Sequence, residues 1–167
     1  MVLPNVKSTN LSAVPRIYAD TSVFGGVFDD EFQRSSRALF DCVHERKVIL
    51  VTSAVVEDEL ISAPSQVREH YRRFLSLMHK VDLTEKSLAL RNAYVNAGIV
   101  TKKSVADALH VAIATTNLCS VLVSWNCRHI VHFKKIPLYN AVNRLHGFAE
   151  IAIHTPLEVI DVEDENI

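Results

Sequence analysis

The stretch that decides the fold is Arg16-Ile17-Tyr18-Ala19-Asp20-Thr21-Ser22-Val23-Phe24. A short apolar run able to form a buried strand stops at a carboxylate, and two hydroxyls follow it. Open α/β sheets bind their ligands at the C-terminal ends of the strands, so Asp20 stands where a site is expected. Alternation then continues along the chain. Val48-Ile49-Leu50-Val51 is a continuous apolar run of the kind found in buried parallel strands. Val81 to Leu83, Val121 to Val123 and Ile151 to His154 are further strand candidates. Between them lie helical patterns: Glu31 to Glu45 with Asp29 or Asp30 as cap, Ala54 to Ser62 capped by Ser53, Gln66 to His79 after Pro64, and Thr84 to the neighbourhood of Gly98. Then come Val105 to Asn117 capped by Ser104, a turn or two over Asn126 to Phe133, and Pro137 to His146. Strand–helix alternation predicts a three-layer α/β/α domain with a central parallel sheet of about five strands.

Two more carboxylates fall in apolar helical settings. In the helix after the second strand, Val55, Val56 and Leu60 define the apolar face, and Glu59 lies roughly 40° from its centre at ~100° per residue. Glu57 and Asp58 fall outside that arc and are expected to be solvated. A carboxylate aimed at a core must be paired or bound to metal, so Glu59 reads as a metal ligand, as half of a structural salt bridge, or as a residue turned outward by a helix slightly rotated from this estimate. Asp107 opens Val105-Ala106-Asp107-Ala108-Leu109-His110-Val111-Ala112, a helix apolar nearly all round and therefore buried. Ser104-x-x-Asp107 also reads as a capping box. Asp20 itself reads alternatively as an Asx-turn or N-cap. Thr21 and Ser22 are turn formers or hydroxyls that hold Asp20 in place. The fourth strand ends at Ser124-Trp125-Asn126; Ser124 is a further supporting hydroxyl, and Asn126 is a neutral oxygen ligand or a cap.

The global figures are compatible with one domain and a full core. The chain has 167 residues, 49% of them apolar, with four glycines and five prolines. The expected division is an N-terminal extension over 1–15, a domain over 16–160 and an acidic tail over 161–167, with 1–14 and 162–167 expected to be disordered. Three widely spaced cysteines, Cys42, Cys119 and Cys127, make no disulfide framework and suggest a reducing cytosol. No segment is apolar enough for a membrane span, and the first fifteen residues lack the pattern of a signal peptide. The net charge of −1 conceals an asymmetry: residues 158–167 hold five acids and no base, which leaves residues 1–157 with 18 basic and 14 acidic groups, a net of +4. Arg68, Arg72 and Arg73, Lys102-Lys103, and Lys134-Lys135 near Arg128 are the basic clusters, and each also reads as a solvated face.

Other chemistries are poorly supported. No Gly-x-Gly-x-x-Gly, Walker A or Gly-x-Ser-x-Gly pattern occurs, and Gly25-Gly26 alone is weak. Cys127-x-His129-x-x-His132 lacks a second cysteine pair for structural zinc. Cys119 is expected in the core, and His110 is expected to be a core histidine bonded to backbone. An Asp-x-Asp phosphatase would need an acid where Ser22 stands.

In order, the pieces Asp20-Thr21-Ser22, Glu59-Leu60, Asp107-Ala108-x-His110-x-Ala112-x-Ala114 and Val121-Leu122-Val123-Ser124-Trp125-Asn126 resemble the PIN domain family over about residues 16 to 131. The resemblance implies a metal-dependent endoribonuclease of the kind found as VapC-type toxins of toxin–antitoxin pairs, often a homodimer. It implies Asp20, Glu59 and Asp107 as catalytic acids that hold Mg²⁺ or Mn²⁺, with Asn126 at the fourth ligand position. Lys102, Lys103 and Arg128 then become candidates to hold single-stranded or structured RNA, and an antitoxin becomes a candidate partner. Two positions depart from the family pattern. Asn126 stands where Asp is frequent, and His129 stands where a further acid can follow, so the fourth corner carries no charge. A catalytically weak protein-binding or RNA-binding module of the same fold is the alternative.

Overall fold

A computed structural model describes residues 13–160. The expected acidic tail and nearly all of the N-terminal extension lie outside the described residues. Five strands form one sheet: β1 (Arg16–Ala19), β2 (Ile49–Ser53), β3 (His79–Val81), β4 (Val121–Val123) and β5 (Ala152–His154). Their order is β3-β2-β1-β4-β5 and every pairing is parallel. β1 is therefore central. Tyr18 lies opposite Val51 on one side and Leu122 on the other. Tyr18, Ala19, Leu50, Val51, Leu122 and Val123 are wholly buried, which explains the uninterrupted apolar runs.

Eight α-helices are present among the described residues: α1 (Thr21–Gly26), α2 (Gln33–His44), α3 (Ala54–Leu60), α4 (Ser65–Phe74), α5 (Glu85–Asn96), α6 (Val105–Thr116), α7 (Ile136–Leu145) and α8 (Pro156–Ile160). They pack in two groups. α1 meets α2, α3 and α4, and α2 meets α8; α5 meets α6 and α7. With the sheet these groups give three layers. Residues Ala108 to Thr115 of α6 are all buried, as its uniform apolarity requires.

Local sequence explains most element boundaries. Thr84 and Ser87 form a reciprocal capping box at the start of α5. Gly98, just past its end, has φ +74°, where a side chain would be strained. Ser53 caps α3 by accepting the Val56 N–H at 3.3 Å.

Several boundaries differ from expectation. β3 begins at His79, two residues before the expected strand, because an edge strand tolerates exposed polar residues and Leu83 is itself exposed. Helix α4 correspondingly stops at Phe74 and passes through a 3₁₀ turn, Leu75–Leu77. α2 starts at Gln33, not Glu31; Asp29 caps the turn before it, accepting from the N–H of Glu31 at 2.9 Å and of Phe32 at 3.3 Å. α1 and α8 were not expected from the sequence. α1 carries two glycines and is only six residues long, so its pattern is too short to register, but it buries Val23 and Phe24. Asn126 to Phe133 forms hydrogen-bonded turns and no regular helix.

Candidate active site

β1 carries Asp20 to the C-terminal edge of the sheet between β2 and β4, where its N–H bonds the Val123 carbonyl at 3.3 Å. Asp20 occupies the N-cap position of α1 with extended backbone, yet its side chain makes no capping bond. The carboxylate is buried and accepts from Ser22 Oγ on Oδ1 at 2.6 Å and from Ser124 Oγ on Oδ2 at 2.8 Å. Those serines are in turn fixed: Ser22 Oγ accepts from the Trp125 N–H and Ser124 Oγ from the Asn126 N–H, each at 2.9 Å. Burial pushes the Asp20 pKa up, opposed by the His110 charge and the two serine hydrogen bonds and reinforced by the Glu59 charge. The hydrogen-bond partners of this carboxylate are hydroxyls, and the counter-charge that acts on it is that of His110.

Glu59, on α3, is half-buried. Thr21 Oγ1 donates to Glu59 Oε2, and His110 Nε2 lies 3.2 Å from both carboxylate oxygens. A carboxylate only accepts, so Nε2 carries a proton. The other ring nitrogen, Nδ1, is 2.8 Å from Tyr18 Oη, which is 2.8 Å from Ser53 Oγ. His110 is thus bonded to side chains from β1 and α3, and not to backbone as expected. Burial works against its charge, but the Glu59 hydrogen bond and the charges of Asp20, Glu59 and Asp107 outweigh burial and raise its pKa. Glu59 moves the opposite way: burial raises it, and the His110 and Thr21 bonds together bring it below the usual carboxylate value. Glu57 was expected to be solvated; it pairs with Lys80 of β3, whereas Asp58 is exposed.

Asp107 sits in the first turn of α6. The expected capping box does not form: Ser104 is the N-cap but makes no side-chain cap bond, and its Oγ lies 3.3 Å from His129 Nε2. Asn126 Nδ2 donates to Asp107 Oδ1 at 3.0 Å. The amide orientation is fixed by its other end, where Oδ1 accepts from the N–H of Arg128 at 3.2 Å and of His129 at 3.0 Å. Asn126 therefore caps its own turn with its oxygen and holds Asp107 with its nitrogen. Lys102 and Lys103 are exposed on the 3₁₀ turn before α6, and Arg128 is exposed beside Asn126.

These contacts link the residues into two connected arms. One runs Asp20–Ser124–Asn126–Asp107, and the other runs Thr21–Glu59–His110–Tyr18. Among the described residues no three of His, Cys, Asp and Glu are grouped closely enough to hold an ion as they stand. The donor chemistry nonetheless fits a hard divalent cation: three carboxylates with the hydroxyl oxygens of Thr21, Ser22 and Ser124 against two of them. The pairing of Glu59 with His110, and of Asp107 with Asn126, separates this arrangement from a closed ligand cage. His110 and Tyr18 were not read as site residues from the sequence. The signal was present: His110 follows Asp107 by three residues on a helix, and Tyr18 precedes Asp20 by two on a strand, so each pair shares a face.

No family model matches the chain, and no curated protein matches it. Solved structures do match. VapBC2 from Rickettsia felis, bound to a DNA fragment from their promoter, aligns with a TM-score of 0.54 at 15% identity, covering 84% of this chain and 98% of that one. FitAcB from Neisseria gonorrhoeae aligns with a TM-score of 0.55 at 14% identity, with the same coverage of 84% and 98%. At such identities the likeness is one of fold: the chain shares with these structures the three-layer α/β/α architecture, the PIN-like fold that its ordered sequence motifs resemble.

Proposed function

We propose that the protein is a metal-dependent endoribonuclease that hydrolyses RNA phosphodiester bonds, acting in the cytosol as the toxin of a toxin–antitoxin pair. The observation that carries this reading is Asp20: a buried carboxylate at the central strand's end whose side chain caps nothing, with Asp107 joined to it through Ser124 and Asn126, and Glu59 held by the adjacent Thr21. Asp20, Glu59 and Asp107 would hold Mg²⁺ or Mn²⁺. Such an ion, when bound, supplies Lewis acidity and lowers the pKa of water at the scissile phosphate. The chain's own contribution is positional. Ser22 and Ser124 fix both oxygens of Asp20, Thr21 and His110 hold Glu59, and Asn126 holds Asp107. Lys102, Lys103 and Arg128 are exposed near this edge and suit the backbone phosphates on either side. VapBC2 was solved on promoter DNA, which supports a protein partner and a regulatory complex here as well. A homodimer belongs to the same reading, and light scattering tests it.

The second reading, a catalytically weak RNA- or protein-binding module, draws on Asn126: its oxygen is already committed to two backbone N–H groups. One experiment separates the two. The nuclease reading expects cleavage of single-stranded RNA that requires Mg²⁺ or Mn²⁺ and is lost in Asp20→Asn. It also expects thermal stabilisation of the wild type by up to about ten millimolar metal, about 1–3 kcal/mol by mass action, and none in the variant. Metal-independent melts together with no cleavage would leave the binding module.

A further inference from the structure

Beside Asp20 lies an open cleft of about 450 Å³ that the hydrolytic chemistry does not use. Its polar wall is Ser22, Asp29 and Asn126, of which Ser22 and Asn126 hold Asp20 and Asp107. Its apolar wall is Phe32 and Trp125, stacked with ring centroids 4.3 Å apart and planes 19° from parallel. Trp125 is fixed on three sides. Its N–H bonds Ser22 Oγ, its ring Nε1 donates to Ser36 Oγ at 2.9 Å, and Gly26 leaves room for it, since a Cβ there would lie 2.7 Å from Nε1. The neighbouring Gly25 also lines the cleft, and a Cβ there meets nothing within 4 Å. A rigid aromatic pair, half-exposed and hydrogen-bonded to the carboxylate site, is thus held at the mouth of an unfilled space.

We propose that this cleft takes one unpaired nucleobase of the RNA substrate, stacked on the Trp125–Phe32 pair. The inference rests on the ribonuclease reading and deepens it. Aromatic side chains bind single-stranded RNA by stacking with splayed bases, whereas the bases of an A-form duplex are stacked on one another and beyond reach. In RNA each base is one sugar away from a phosphate, and here the aromatic wall is one serine away from Asp20. The cleft therefore selects single-stranded RNA and sets which phosphate is presented to the carboxylates. The polar wall suits the ribose or base edge, and exposed Arg128, two residues past Asn126, suits the adjoining phosphate.

Trp125 is the single tryptophan of the chain, so its emission reports on this cleft alone. The full-length protein in EDTA is titrated with a five-nucleotide single-stranded oligoribonucleotide, its abasic ribose-phosphate counterpart and a short RNA duplex. Saturable quenching by the single strand alone is expected. Phe32→Ala should weaken that binding about 5- to 150-fold, the range for loss of one base–aromatic stack. Gly25→Leu fills open space, so it should keep the wild-type melting temperature and bind at least about tenfold more weakly, as expected when one stacked base is displaced. Equal quenching by the abasic strand, unchanged emission at RNA concentrations that saturate by anisotropy, or wild-type binding by a folded Gly25→Leu protein would each overturn the proposal. Cleavage without any response of Trp125 would reject the base pocket and leave the ribonuclease reading standing. Base-dependent quenching without cleavage in Mg²⁺ or Mn²⁺ would do the reverse.

Discussion

Two histidines are buried among the described residues, and they behave in opposite ways. His70, on α4, sits among Phe40, Phe74 and Phe28 with ring centroids at 4.4, 4.9 and 5.9 Å, and its Nε2 has no hydrogen-bond partner. Burial pushes its pKa down to about 4, helped by the charges of Arg73 and Arg37. His110 is more deeply buried and its pKa is raised, because Glu59, Asp20 and Asp107 surround it. Desolvation acts in the same direction on both. What differs is the carboxylates, so the contrast marks where this fold has gathered negative charge: at the strand ends, and not in the aromatic layer under α1, α2 and α4.

The largest test removes the carboxylates' partner. His110→Leu leaves Glu59 and Asp20 facing one another without a cation and takes a partner from Tyr18 Oη. Breaking a wholly buried pair costs about 3–5 kcal/mol; Glu59 is partly exposed, so a loss of about 2–4 kcal/mol is expected in urea unfolding. Mn²⁺ should recover more stability in the variant than in wild type. A loss below about 1 kcal/mol, the level of a surface pair, would mean that His110 does not hold Glu59.

The next test addresses the other histidine. With a folded pKa of about 4 against an ordinary value of 6.5, the unfolded chain binds the His70 proton across that interval and the folded chain does not. Stability from His70 is therefore present above pH 6.5 and is lost as pH falls toward 4, by about 2–3 kcal/mol. His70→Phe should flatten this acid limb and cost little at pH 7, since the ring joins an aromatic cluster and Nε2 gives up no bond. Wild-type and variant pH profiles that run parallel would show that His70 titrates normally and that the two histidines do not differ.

The adjacent glycines extend the comparison into α1. Gly26→Ala places a Cβ 2.6 Å from Ser36 Oγ and 2.7 Å from Trp125 Nε1, and should cost about 1–3 kcal/mol while shifting Trp125 emission. Gly25→Ala meets open space and should be neutral or stabilising by about 0.4–1 kcal/mol. Equal effects at both positions, measured by thermal unfolding, would mean that Trp125 is not held against α1.

The legible parts of this molecule are those where one pattern dominates. β4 was read from Val121-Leu122-Val123 to the residue, and the Thr84 cap and the Gly98 end of α5 follow from local chemistry. Asp20, Glu59 and Asp107 stood out because each interrupts an apolar setting. Less legible were features made by contacts distant in sequence. The Tyr18–His110 bond joins residues 92 apart, and the Trp125–Ser36 bond joins residues 89 apart. Asn126 shows the limit: the sequence left cap and ligand open, and only the positions of the Arg128 and His129 N–H groups decide which way its amide faces.

Asn126 also provides the smallest and most discriminating test. In Asn126→Asp one oxygen can keep both capping bonds, because Asp and Asn cap about equally well. The other oxygen replaces the amide nitrogen that lies 3.0 Å from Asp107 Oδ1. A donor becomes a like charge, so the metal-free protein should lose about 1 kcal/mol, the scale of two charges at contact near water. The same added charge should tighten Mn²⁺ binding about tenfold, which is ~1.4 kcal/mol, and recover the lost stability. The two readouts are thus expected to move in opposite directions, a signature that neither a lost cap nor a neutral surface change produces. Equal Mn²⁺ affinities by calorimetry, with equal metal-free melts, would place Asn126 outside the electrostatics of the site. Any ion would then depend on Asp20, Glu59 and Asp107 alone.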